Sequence, residues 1–79
     1  MHAIEMYTSS WCPFCVRAKA LLDGKGLPYT EHVMDSDPAG LAEAKRRWGH
    51  PTVPIVIVDG ELVGGCNELM ALDRAGGLD

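Results

Sequence analysis

Hydrophobic and polar positions along this chain sort into seven short segments. Ala3-Ile4-Glu5-Met6-Tyr7 has the moderate hydrophobicity of a strand. From Pro13 to about Lys25 the spacing is helical: Phe14, Ala18, Leu21 and Leu22 share one face, and Arg17 and Lys25 point away from it. Gly24 and Gly26 stop that helix. Pro28 to Met34 predicts a second strand, with Tyr29, Glu31 and Val33 alternating against Thr30, His32 and Met34. Asp37 is placed to cap a helix and Pro38 fits its first position. Leu41, Ala44 and Trp48 then recur at helical spacing as far as Gly49. Ile55-Val56-Ile57-Val58 is β-branched throughout and predicts a strand buried on both faces. Asp59-Gly60 is a hairpin signal leading into Glu61 to Val63. Gly64-Gly65 breaks the chain, Asn67 can cap a last helix with Leu69 and Leu72 facing inward, and Gly76-Gly77 ends it. The order is β-α-β-α-β-β-α. Its first unit requires a parallel strand pair and its hairpin an antiparallel one. The expected fold class is therefore α/β: a four-stranded mixed sheet flanked by three helices.

Bulk properties narrow the function. Seventy-nine residues predict a single domain over 1–79, with a composition, 47% hydrophobic and 23% charged, ordinary for a soluble protein. A net charge of −4 argues against nucleic acid as a partner. The densest basic run, Lys45-Arg46-Arg47, reads as the solvated side of a helix. No stretch approaches the roughly 20 apolar residues of a membrane span. The first residues carry neither the charged nor the apolar region of a signal sequence. Three cysteines, an odd number, do not suit a disulfide-stapled secreted miniprotein. A reducing compartment, the cytoplasm, is the expected location, and cysteines there tend to be catalytic or metal-binding.

Trp11-Cys12-Pro13-Phe14-Cys15 carries the chemistry. Pro13 suits the first helical position, because a proline has no N–H to leave unpaired there. Cys12 is thus predicted at the N-cap, where free N–H groups and the positive end of the helix dipole favour a thiolate. Cys15 lies one turn into the helix, within reach of a mixed disulfide on Cys12. The pair predicts a nucleophile (Cys12) and a resolving thiol (Cys15) for thiol–disulfide exchange.

With Thr52-Val53-Pro54 and Gly64-Gly65-Cys66 at these distances, Cys12-Pro13-Phe14-Cys15 resembles a small dithiol glutaredoxin of the thioredoxin-fold superfamily over essentially the whole chain. The resemblance implies a thioredoxin fold and a cis bond before Pro54. It also implies a thiol–disulfide oxidoreductase that reduces protein disulfides and glutathione mixed disulfides. Glutathione would be the electron-donating cosubstrate, with no cofactor bound. Its binding residues would be Trp11, Pro13, Phe14, Thr52, Val53, Pro54, Gly65, Cys66 and Asn67. Val53 would offer its backbone to an extended substrate, and the N–H groups of Cys66 and Asn67 would hold the γ-glutamyl end. Clients would be disulfide-containing proteins, ribonucleotide reductase among them, and the protein would act as a monomer.

The chain also departs from that family. Ser9 and Leu41 stand where glutaredoxins commonly carry a lysine and a basic or amide side chain for the glycine carboxylate of glutathione. Asn67, followed by Glu68, stands where the family has an acid. Lys45, Arg46, Arg47 and His50 are the available substitute bases. The donor therefore stays open between glutathione, mycothiol and a thioredoxin reductase. An iron–sulfur carrier is the remaining alternative, and Pro13 weighs against it. Zinc is disfavoured because only Cys66 and the scattered His2, His32 and His50 could complete a site. Cys66 reads as an inert, half-buried thiol, and Trp48 as structural.

Overall fold

The computed structural model describes residues 2–78; Met1 and Asp79, the ends of the expected domain, lie outside the described residues. The elements run β1 (Ile4–Thr8), α1 (Pro13–Gly24), β2 (Thr30–Val33), α2 (Pro38–Trp48), β3 (Ile55–Val58), β4 (Glu61–Gly64) and α3 (Cys66–Arg74). They build the four-stranded mixed sheet that the element order predicts, in the order β2-β1-β3-β4. β1 is parallel to β2 and antiparallel to β3, and β3 is antiparallel to β4. This is a thioredoxin fold.

β3 explains the layering. All four of its side chains are buried, because successive residues point to opposite faces and both faces are covered. Val56 and Val58 join Ile4, Met6, Ala18, Leu22 and Leu69 in the core under α1 and α3. Ile55 and Ile57 pack with Ala44 under α2, with Tyr7 and Trp48 against them. Burial of this kind stabilises by about 25 cal/mol per Å² of apolar surface.

Local chemistry sets the boundaries. The Asp37 carboxylate accepts from the Gly40 N–H at 2.9 Å and caps α2 as predicted. Gly49 ends α2 in the left-handed conformation. Asp59 and Gly60 both take positive φ, 54° and 81°, as a two-residue turn matched to strand twist requires.

Three expectations are corrected. β2 is shorter than Pro28 to Met34, since only Thr30–Val33 forms the strand. Phe14 leaves the core face of α1: Cys15, Ala18 and Leu22 are the buried residues of that helix, and Phe14 is half exposed. Asn67 does not cap α3. The N-cap is Gly65, whose N–H is taken by the Glu68 carboxylate at 2.8 Å, so the helix starts two residues earlier, at Cys66. Past α3, Leu78 returns to the core. A Cβ on Gly77 would meet the Leu72 side chain, which would have to shift to admit it.

Candidate active site

Two backbone segments and one helix end form the site. β1 delivers the chain to a turn in which the Cys12 N–H donates to the Ser9 carbonyl at 3.2 Å. Cys12 takes the N-cap of α1 in an extended conformation, with Pro13 next, as predicted. Its sulfur accepts from the Cys15 N–H at 3.3 Å, one of the helix-end donors that would otherwise be unpaired. The Cys12 thiol also donates to the Val53 carbonyl at 3.5 Å. The Val53-Pro54 bond is cis.

The two thiols differ in environment. Cys12 is partly exposed, while Cys15 is buried and neither is in a disulfide. Burial, and then the contact with Cys12, push the Cys15 thiol up to about 12. Cys15 therefore stays protonated at neutral pH. Cys66 is also a buried free thiol, and burial raises it above the ordinary thiol range. Its Sγ lies 3.8 Å from Met70 Sδ.

Next to Cys12 runs a groove of about 180 Å³, lined by Phe14, His50, Thr52, Val53, Pro54, Gly65, Cys66, Asn67 and Glu68. Seven of the nine residues expected to bind substrate thus line one surface. The other two do not: Trp11 points to solvent, 86% exposed, and Pro13 lies exposed on the first turn of α1.

The groove also holds His50, which the sequence marks only as a substitute base, and Glu68. His50 Nδ1 donates to the Thr52 carbonyl at 2.6 Å, and its Nε2 lies 3.9 Å from Glu68 Oε1. Together they link the Thr52–Pro54 wall to the end of α3. The spacing of Gly65 and Glu68, N-cap and third helical residue, is the sequence signal for Glu68. No pattern in the sequence brings His50 to it.

Ser9, where a lysine was expected from the resemblance, lies in a loop bound to an acid. The Ser10 N–H donates to Asp35 Oδ1 at 3.0 Å, and its hydroxyl donates to Oδ2. These bonds, Ser10 first, hold the Asp35 carboxyl below its ordinary range. Among the described residues no group of three or more His, Cys, Asp or Glu is placed to hold a metal ion. No helix among them is long and apolar enough to cross a membrane.

Comparison with known proteins agrees with this geometry. The sequence model of the glutaredoxin family matches residues 4–63. Glutaredoxin 3 of Escherichia coli K12 is 46% identical over 79 residues, covering all of this chain and 95% of the relative. A glutaredoxin of Pseudomonas aeruginosa is also 46% identical, over all of this chain and 94% of its own length. Among solved structures, the crystal structure of a buckwheat glutaredoxin–glutathione complex superposes with a TM-score of 0.87 at 30% identity, over 98% of this chain and 73% of that one. The solution structure of a Brucella melitensis glutaredoxin gives 0.83 at 40% identity, over 98% and 84%.

Proposed function

The chain belongs to the glutaredoxin family and is a thiol–disulfide oxidoreductase; from that premise we propose that it uses glutathione to reduce protein disulfides and glutathione mixed disulfides. The observation that carries this reading is the placement of Cys12. Its sulfur is accessible at a helix N-terminus and contacts the Val53 carbonyl at the rim of the groove. Cys12 attacks the disulfide and forms a mixed disulfide while the other sulfur leaves as a thiolate. Cys15 then attacks Cys12 and releases the second sulfur, leaving a Cys12–Cys15 disulfide. Glutathione reduces that bond, first forming a mixed disulfide on Cys12.

In this reading Val53 pairs through its backbone with an extended substrate, and Thr52 and Pro54 hold that segment in place. The N–H groups of Cys66 and Asn67, after Gly65, receive the γ-glutamyl carboxylate. Trp11, Pro13 and Phe14 form the outer surface on which a client protein rests. Residues 1–79 act as one domain, a monomer, in the reducing cytoplasm. Ribonucleotide reductase is a client to test.

The test is Cys15→Ser. This variant should keep reduction of glutathionylated substrates, which needs only Cys12, and lose reduction of intramolecular protein disulfides. Equal loss of both activities rejects the glutathione reading in favour of an obligate dithiol mechanism.

A second reading, a donor other than glutathione, draws on the acid beside Ser9. Asp35 is bonded to the loop where glutaredoxins commonly carry the lysine for the glycine carboxylate. Turnover supported by thioredoxin reductase or mycothiol, but not by glutathione with its reductase, would establish it.

A further inference from the structure

Resolving a mixed disulfide requires Cys15 as a thiolate, and the fold buries this thiol completely. Lys19 lies four residues further along α1, on the same side of the helix. It is not a loose surface cation. Lys19 Nζ lies 3.0 Å from Glu31 Oε2 on β2. That oxygen also accepts from the Thr8 hydroxyl at 2.7 Å, and Thr8, at the end of β1, is buried. The ammonium is therefore clamped between α1 and the parallel β1–β2 pair.

We propose that Lys19 is a positioning residue for the resolving step, its clamped ammonium stabilising the Cys15 thiolate as it forms. The assignment rests on the dithiol reading above. In the mixed disulfide, Cys12 Sγ is bonded to the client's sulfur. Cys15 gives its proton to solvent and attacks Cys12 Sγ. The Cys12–Cys15 bond forms as the bond to the client breaks. The client sulfur leaves with the electron pair and takes a proton from solvent. Cys15 is oxidised, the client sulfur is reduced, and Lys19 keeps its proton throughout.

The charges around this step fit that assignment. The Glu31 hydrogen bond, above all, holds Lys19 in its charged form. Thr8 first, and then Lys19, keep the Glu31 carboxyl below its usual range, so Glu31 remains an anion and takes no proton. Cys15 is faced by Cys12 at the helix end, which raises it further, and by the Ser9 backbone and Lys19, which pull it down. Tyr29, just before β2, completes the set around Lys19. Arg17 acts instead on Cys66.

The experiment isolates this step without glutathione. Cys12 is loaded with 2-nitro-5-thiobenzoate as a chromophoric mixed disulfide, and release of the coloured thiolate is followed against pH. Cys15→Ser supplies the baseline without resolution. Lys19→Met should release the thiolate about five- to ten-fold more slowly at neutral pH. Its deficit should persist at every pH well below about 12, because both rates there scale with the small thiolate fraction of Cys15. Lys19→Arg should restore most of the rate. Equal rates for Lys19→Met and the parent overturn the proposal. So does failure of Lys19→Arg to restore the rate, which is the mark of a purely structural loss. Because the probe is not glutathione, these outcomes are independent of the donor.

Discussion

Cys12 and Cys15 are one helical turn apart and occupy opposite surroundings. The Cys12 region is assembled from loops and a helix end: the Ser9–Trp11 turn, the N-terminus of α1, and the Thr52–Pro54 segment. It is exposed and polar at the backbone. The Cys15 region is core, with Ala18 and Leu22 continuing its face of α1. One polar network, Lys19–Glu31–Thr8, is attached to it. Division of labour follows from solvation. On the proposed mechanism the attacking thiol has to be reached by clients, whereas the resolving thiol needs only to reach Cys12 and gains protection from stray oxidants by being buried.

The sharpest way to break this comparison is selective alkylation of the reduced protein. At neutral pH iodoacetamide should modify Cys12 and spare Cys15 and Cys66, by a margin of about a hundred-fold or more in rate. Peptide mapping by mass spectrometry reads the result. Modification of Cys15 should rise with pH towards about 12, where it ionises. The sign for stability is fixed by the same shift. Folding holds the proton on Cys15, so this contribution is complete below the ordinary thiol value of 9.0 and is lost as pH rises towards about 12. Comparable labelling of Cys12 and Cys15 at neutral pH would end the distinction between the two regions.

A smaller effect tests the core side. Leu22→Ala removes a fully buried side chain beneath α1 and should cost about 2–5 kcal/mol in denaturant unfolding. The smallest effect tests the exposed side. Trp11→Ala should change stability by no more than about 0.5 kcal/mol, because the side chain is 86% exposed. It should nevertheless weaken turnover of protein disulfides more than turnover of a small mixed disulfide. A Trp11→Ala protein as destabilised as Leu22→Ala would mean that the ring packs in solution.

Much of the fold was legible because its signals are local. Pro13 after Cys12, Asp37 before Pro38, Asp59-Gly60 and the β-branched run of β3 each act within a few residues, and all four appear as expected. Asn67 misled because a plausible cap lost to Glu68, which reaches back to the Gly65 N–H. Phe14 misled because apolar spacing cannot tell a core position from one facing an open groove. Of the site, the dithiol and most of the groove were readable from their motifs, whereas His50 was readable only as a nearby base.

By itself, then, the sequence determined the order of elements, the turns and the caps of the first two helices, and the two thiols at helical spacing. These depend on backbone preferences and side-chain periods that operate over one or two turns. Tertiary structure alone decided which thiol is buried, and it brought Val53 to Cys12 across 41 positions. It also joined Lys19 to Glu31 and Thr8, and His50 to Glu68. Desolvation and charge pairing depend on which distant segments pack together, and that is settled only when the sheet and its helices close on one another.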